Sequence, residues 1–97
     1  MITYNEMKKI KTPSVDYTGS KEGRFDNGYE ATINDTNYKI IYRRQWSALK
    51  TGRYIGFPYY QLLVNNERHS WNFNGSTGNT FSKDSALNEL NKLVGEA

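Results

Sequence analysis

The chain has no cysteine, one histidine and two prolines among its 97 residues. Without thiols there is no disulfide framework, thiolate zinc site, iron–sulfur cluster or cysteine nucleophile. A lone histidine, His69, leaves no multi-histidine metal centre. No apolar run approaches the roughly 18–20 residues of a membrane-spanning helix, and residues 1–11 carry no signal-peptide apolar core. Neither sign of charge is in large excess, with 13 basic against 10 acidic residues. What the chain does have is rings: 14% of it is Phe, Trp or Tyr, too aromatic for a disordered segment. The length allows one domain, 1–97, whose folding would bury only about 60–65% of the unfolded chain's surface.

Local patterns predict the elements. Thr3 and Glu6 have the spacing of a capping box, flanked by Ile2 and Met7 as a hydrophobic staple. Tyr4, Met7 and Ile10 then repeat at helical spacing until Pro13, which predicts a helix over about 3–11. Residues 14–27 read as a connection ending in an Asp26-Asn27-Gly28 turn. Alternation predicts strands over 29–34 and 38–46, joined by a turn at Asp35-Thr36-Asn37. Gly56 and Pro58 interrupt the next extended stretch, so its firm part is 59–64, and a fourth strand is expected over 68–73. Ser82 is a good N-cap, with Phe81 and Ala86 as a second staple. Ala86, Leu87, Leu90, Leu93 and Val94 form an apolar stripe, and Gly95 has the position of a terminating glycine, so a closing helix is expected over 83–94. The expected fold is α+β: an antiparallel meander of four strands (three to five), with an N-terminal and a C-terminal helix packed on one face.

The distribution of charge is more informative than its total. Residues 36–66 contain no acid, while Lys39, Arg43, Arg44, Lys50 and Arg53 all fall there. Tyr38, Tyr42, Trp46, Tyr54, Phe57, Tyr59 and Tyr60 share the same window. Cations neutralise phosphates and exposed rings stack on unpaired bases, so interleaving the two suits nucleic acid. Alternation puts Lys39 and Arg43 on one side of their strand and Tyr38, Ile40, Tyr42, Arg44 and Trp46 on the other. Helices covering the ring side would leave Lys39 and Arg43 open to solvent. The segment from Gly52 to Tyr59 holds two glycines, a proline and rings, as either a ring-presenting recognition loop or a β-bulge with its rings folded over the end of the core does. The candidate binding residues are therefore Lys39, Arg43, Arg44, Lys50, Arg53, Tyr54, Phe57, Tyr59 and Tyr60. Two plainer explanations compete: strands favour rings in any case, and lysine and arginine decorate any solvated face.

Catalysis has little to build on. His69 and Ser70 are neighbours on an expected strand and so point to opposite faces. Asp16, Glu22, Asp26 and Glu30 do not have the spacing of a metal loop. Gly75-Ser76-Thr77-Gly78-Asn79 matches neither the Walker nor the dinucleotide pattern. No catalytic residue, metal or cofactor is expected.

The order of an N-terminal helix, a meander and a closing helix opened by Ser82-Lys83 loosely resembles a double-stranded-RNA-binding domain. Asp84 and Ser85 stand where that family's helix continues with lysines, so its binding residues are not carried over. In size and texture, with 11 asparagines, many lysines and tyrosines and no cysteine, the chain also resembles small phage and mobile-element anti-defence proteins of the anti-CRISPR type. Two functions follow as expectations. One is a non-catalytic domain binding nucleic acid or a nucleoprotein complex. The other is a phage or mobile-element inhibitor acting by contact with a host protein that handles nucleic acid, through the same basic and aromatic surface. Both place the protein in the cytoplasm, the host's if it is phage-encoded, with no membrane partner.

Overall fold

The computed structural model describes residues 1–14, 25–44, 46–47, 53–54, 58–69, 72–73, 76–77, 79–80 and 82–96. The strands of the main antiparallel sheet are β1 (Lys8–Pro13), β2 (Phe25–Ile33), β3 (Thr36–Arg43), β4 (Tyr59–Val64), β5 (Glu67–Arg68) and β6 (Asn79–Thr80). They lie in the order β1-β2-β3-β4-β6, with β5 also pairing with β4. One helix, α1 (Lys83–Glu96), follows. Two-residue ladders join Trp46–Ser47 to Arg53–Tyr54 and Asn72–Phe73 to Ser76–Thr77.

The N-terminal helix expected over 3–11 does not form. Its start signal closes a single 3-10 turn, Tyr4–Glu6, in which the Glu6 carboxylate accepts the Thr3 N–H at 3.2 Å and the Thr3 hydroxyl at 3.0 Å. Met7 is already extended (φ −94°, ψ 151°), and β1 begins directly after it. An isolated helix of some nine residues is marginal in water, whereas six residues of ladder against β2 satisfy the backbone at once. Pro13 closes β1, a position at which its missing N–H is tolerated. The topological likeness to a double-stranded-RNA-binding domain loses its first helix with this change.

Both tight hairpins turn on residues with positive φ: Asn34 (51°) and Asp35 (65°), then Asn65 (50°) and Asn66 (65°). Such pairs match the right-handed twist of the flanking strands, and asparagine and aspartate tolerate the left-handed region. The first turn therefore lies one residue earlier than the sequence suggests. Gly28, expected in a turn, stands in mid-strand opposite Ile41. A Cβ there would meet the Ile41 Cδ1 atom at 2.5 Å and the Ile40 carbonyl oxygen at 2.9 Å. The missing side chain lets fully buried Ile41 lie against the β2 backbone. Of the expected strand over 38–46, β3 takes in residues up to Arg43, and of that over 68–73 the described residues Arg68 and Asn72–Phe73 fall in different ladders. Gly95 lies inside α1 rather than past its end, and a Cβ at that position would meet nothing within 4 Å.

The closing helix forms as its stripe requires. The Ser82 hydroxyl oxygen accepts the Ser85 N–H at 3.2 Å, the N-cap bond expected of it. Ala86 and Leu90 are fully buried against Met7, Tyr38, Ile40 and Leu62. The amino-terminal segment is tied along the same helix. Ile2 N–H donates to Asn91 Oδ1 at 2.7 Å, and Asn91 Nδ2 returns a bond to the Ile2 carbonyl at 2.9 Å. One side of the sheet thus carries the helix, the 3-10 turn and the main core.

Candidate functional site

Residues paired across an antiparallel ladder share a side of the sheet, so the register sorts the charges. On the side that carries α1 stand Lys9 and Lys11 of β1, Asn27 and Tyr29 of β2, Tyr42 of β3 and Tyr60 of β4. No residue of β1–β4 on this side is acidic. Both acids of these strands, Asp26 and Glu30, stand on the opposite side with Lys39 and Arg43.

On the opposite side of β1–β4, Lys8 is exposed and has no carboxylate partner among the described residues, whereas the other two cations of these strands, Lys39 and Arg43, are engaged. The Arg43 guanidinium donates to Gln61 Oε1 at 3.1 Å, Thr12 Oγ1 at 3.1 Å and the Pro13 carbonyl at 3.3 Å. It also reaches Asp26 Oδ2 at 3.4 Å, and the Asp26 side chain has no exposed surface. Ser14, itself buried, donates to the other Asp26 oxygen at 3.0 Å. Lys39 donates to Asn66 Oδ1 at 2.6 Å and lies 3.8 Å from Glu30. Arg43 and Lys39 are committed here to holding hairpins and a buried carboxylate.

The helix side is different. Tyr4 and Tyr29 pack with ring centroids 4.5 Å apart, and Tyr42 and Tyr60 with centroids 4.9 Å apart. Lys83, the first residue of α1, places its Nζ 4.7 Å from the Tyr4 ring and 5.2 Å from the Tyr29 ring, and donates to the Tyr29 hydroxyl at 3.3 Å. The Tyr4 hydroxyl in turn donates to the Lys83 carbonyl at 2.6 Å, which fixes the helix start against the turn. Burial, then the neighbouring Tyr60, Tyr29 and Asp84, pushes the Tyr4 phenol well above its ordinary value. Burial also raises Tyr60, with Lys83 opposing and Tyr42 and Tyr29 adding to the rise. Both phenols therefore stay neutral around pH 7.

Beside this cluster lies a cavity of about 410 Å³ lined by Lys9, Ile10, Lys11, Asn27, Gly28 and Tyr29. Lys9, Lys11 and Lys83 are exposed, and among the described residues none of the three is paired with a carboxylate. Asp84, in the first turn of α1, brings a carboxylate near Tyr4. The surface is thus cationic at the sheet edge, with Lys83 and partly buried tyrosines packed between that edge and the core beneath α1.

The candidate residues read from sequence divide among several places. Lys39 and Arg43 stand on the side away from the helix, as alternation requires, but both are engaged. Arg44 is exposed just past β3 and has interactions of its own. Tyr59 and Tyr60 are neighbours on β4 and point to opposite sides, so only Tyr60 joins the tyrosine cluster. Arg53 and Tyr54 pair with Ser47 and Trp46, while their side chains, with all of Lys50 and Phe57, lie outside the described residues. The staple residue Phe81 lies outside them as well. Sequence patterns alone do not single out Lys9, Lys11, Tyr29 and Lys83. Alternation in β1, taken as a strand, would have put both of its lysines on one side.

His69 is bound into the fold, with Nε2 2.7 Å from Glu89 of α1 and its backbone N–H donating to the Leu62 carbonyl at 2.9 Å. Among the described residues no cluster of three or more His, Asp or Glu gathers to hold a metal. No helix of the described residues is long and apolar enough to cross a membrane. No protein-family model, curated protein or solved structure matches the chain.

Proposed function

We propose that this protein is a small non-catalytic binding domain that takes up nucleic acid, free or within a nucleoprotein complex, on the helix side of its sheet. The proposal rests on how charge is sorted between the two sides. On the side away from the helix Lys39 and Arg43 are spent on Glu30 and Asp26, which leaves exposed Lys8 as the one cation of β1–β4 there without a carboxylate partner among the described residues. Lys9, Lys11 and Lys83 stand without carboxylate partners among the described residues on the other side, around a tyrosine cluster. A polyanion meets Lys9 and Lys11 there at little desolvation cost, since both remain exposed and hydrated until contact, with exposed Lys83 beside them on the tyrosine rings.

The test is the salt dependence of binding. Each phosphate neutralised releases a condensed counterion, so three lysine contacts correspond to a log–log slope of roughly −2 on a single strand and closer to −3 on B-DNA. Fluorescence anisotropy with labelled oligonucleotides between low and moderate salt reads this directly. A slope near zero, or no binding to DNA or RNA at low salt, rejects the proposal.

A further inference from the structure

We infer that the strand taken up is single, with its phosphates along the β1 edge and its bases stacked on the tyrosines of β2–β4. This deepens the proposed function and rests on it. Lys9 and Lys11 are two residues apart on one side of an edge strand, so they lie roughly 7 Å apart along the strand and form a track. Inward from that track the same side of the sheet presents no further cation on β2, β3 or β4. It carries Tyr29 and Tyr60, each half-buried against the core, and Tyr42, which packs on Tyr60 and lies outside the core cluster. Cations at the edge and rings at the centre match a chain whose backbone and bases are laid side by side, which an unpaired strand on a sheet provides.

A duplex makes poor use of this arrangement. Its base faces are already stacked on one another, and it offers only phosphates to a surface whose middle is aromatic. The cavity between the lysines and Tyr29 has the volume of a small-ligand site, about 410 Å³, and is open to a flipped or unpaired base. Tyr29 is held by its hydrogen bond from Lys83 and its contact with Tyr4, so the ring is positioned before any ligand arrives. Preorganised rings lose little entropy on stacking.

The experiment leaves the protein unchanged and varies the probe. Three ten-residue ligands are compared at one salt concentration: oligothymidylate, a fully abasic phosphodiester of the same length, and a DNA duplex. Oligothymidylate is expected to bind roughly tenfold or more tightly than the abasic strand, with the same salt slope, because stacking moves no counterions. The duplex is expected to bind more weakly than oligothymidylate. Tyr42, which lies outside the core cluster, supplies the residue-level test. Tyr42→Leu should weaken oligothymidylate and leave the abasic strand unaffected, and Tyr42→Phe should restore the parent affinity. Equal affinity for oligothymidylate and the abasic strand, or a duplex bound more tightly, overturns the single-strand inference and leaves a phosphate-binding surface standing. Salt-independent binding, or none, to all three overturns the proposed function itself.

Discussion

Replacing Arg43 with alanine is expected to destabilise the fold by about 3–5 kcal/mol, because it leaves the buried Asp26 carboxylate without its cation. By sequence alone Arg43 is a solvent-facing phosphate ligand whose loss should hardly affect stability. The structure overturns the expected solvent exposure. Its side chain is only 12% exposed, and its guanidinium ties β1, β2 and β4 together through Thr12, Pro13, Asp26 and Gln61. A urea midpoint lower by roughly 2 M or more would report the loss. The paired change Arg43→Met with Asp26→Leu should cost much less, since removing both charges leaves neither one stranded. An unchanged midpoint for Arg43→Ala would show that the carboxylate does not depend on this partner.

Leu90→Ala is expected to cost about 2–5 kcal/mol through lost transfer energy and the cavity left behind. Leu90 has no exposed surface, and it lies one turn beyond Ala86 in the part of α1 that contacts Ile40 and Leu62. With a total stability of about 5–15 kcal/mol for a domain of ordinary size, that loss removes a large share. Lys92→Ala, exposed on the same helix, should stay within about 0.5 kcal/mol and serves as the control. Equal midpoints for the Leu90 and Lys92 variants would contradict the packing of α1 on the sheet.

What could be read from the sequence follows a physical division. The closing helix and β4 were legible because an apolar stripe, and a short ring-bearing and aliphatic run between Pro58 and Asn65, each have one natural interpretation. The two sides of β3 were legible for the same reason: alternation separates Tyr38 and Ile40 from Lys39 and Arg43 whatever covers them. The start of the chain was not. A capping box and staple serve a single 3-10 turn as well as a helix, and Tyr4 and Met7 reach the core from that turn. Gly28 beside Asp26 and Asn27 looks like a turn because composition cannot show Ile41 lying across the strand.

The site was less legible than the fold, and for a different reason. A window of sequence measures charge along the chain, whereas the sheet sets charge across it. The acid-free window 36–66 looks strongly cationic, yet the partners of Arg43 and Lys39 come from Asp26 and Glu30 on the adjacent strand. Conversely, Lys9, Tyr29, Tyr60 and Lys83 come from four separate elements and meet only through the register and the docking of α1. Of the residues chosen by sequence, Tyr60 is the one among the described residues that the fold carries into that cluster.

Whether the binding cations stand on the helix side of the sheet is decided by comparing salt slopes for variants of its two sides. Lys9→Ala with Lys11→Ala should flatten the log–log slope for oligothymidylate by roughly 1.4 units, two single-strand phosphate contacts. Lys39→Gln, on the other side, should leave the slope at the parent value, since its lysine already serves Asn66 and Glu30. A slope that flattens with Lys39→Gln and is untouched by the Lys9 and Lys11 changes would place the interface on the opposite side and contradict the proposed surface.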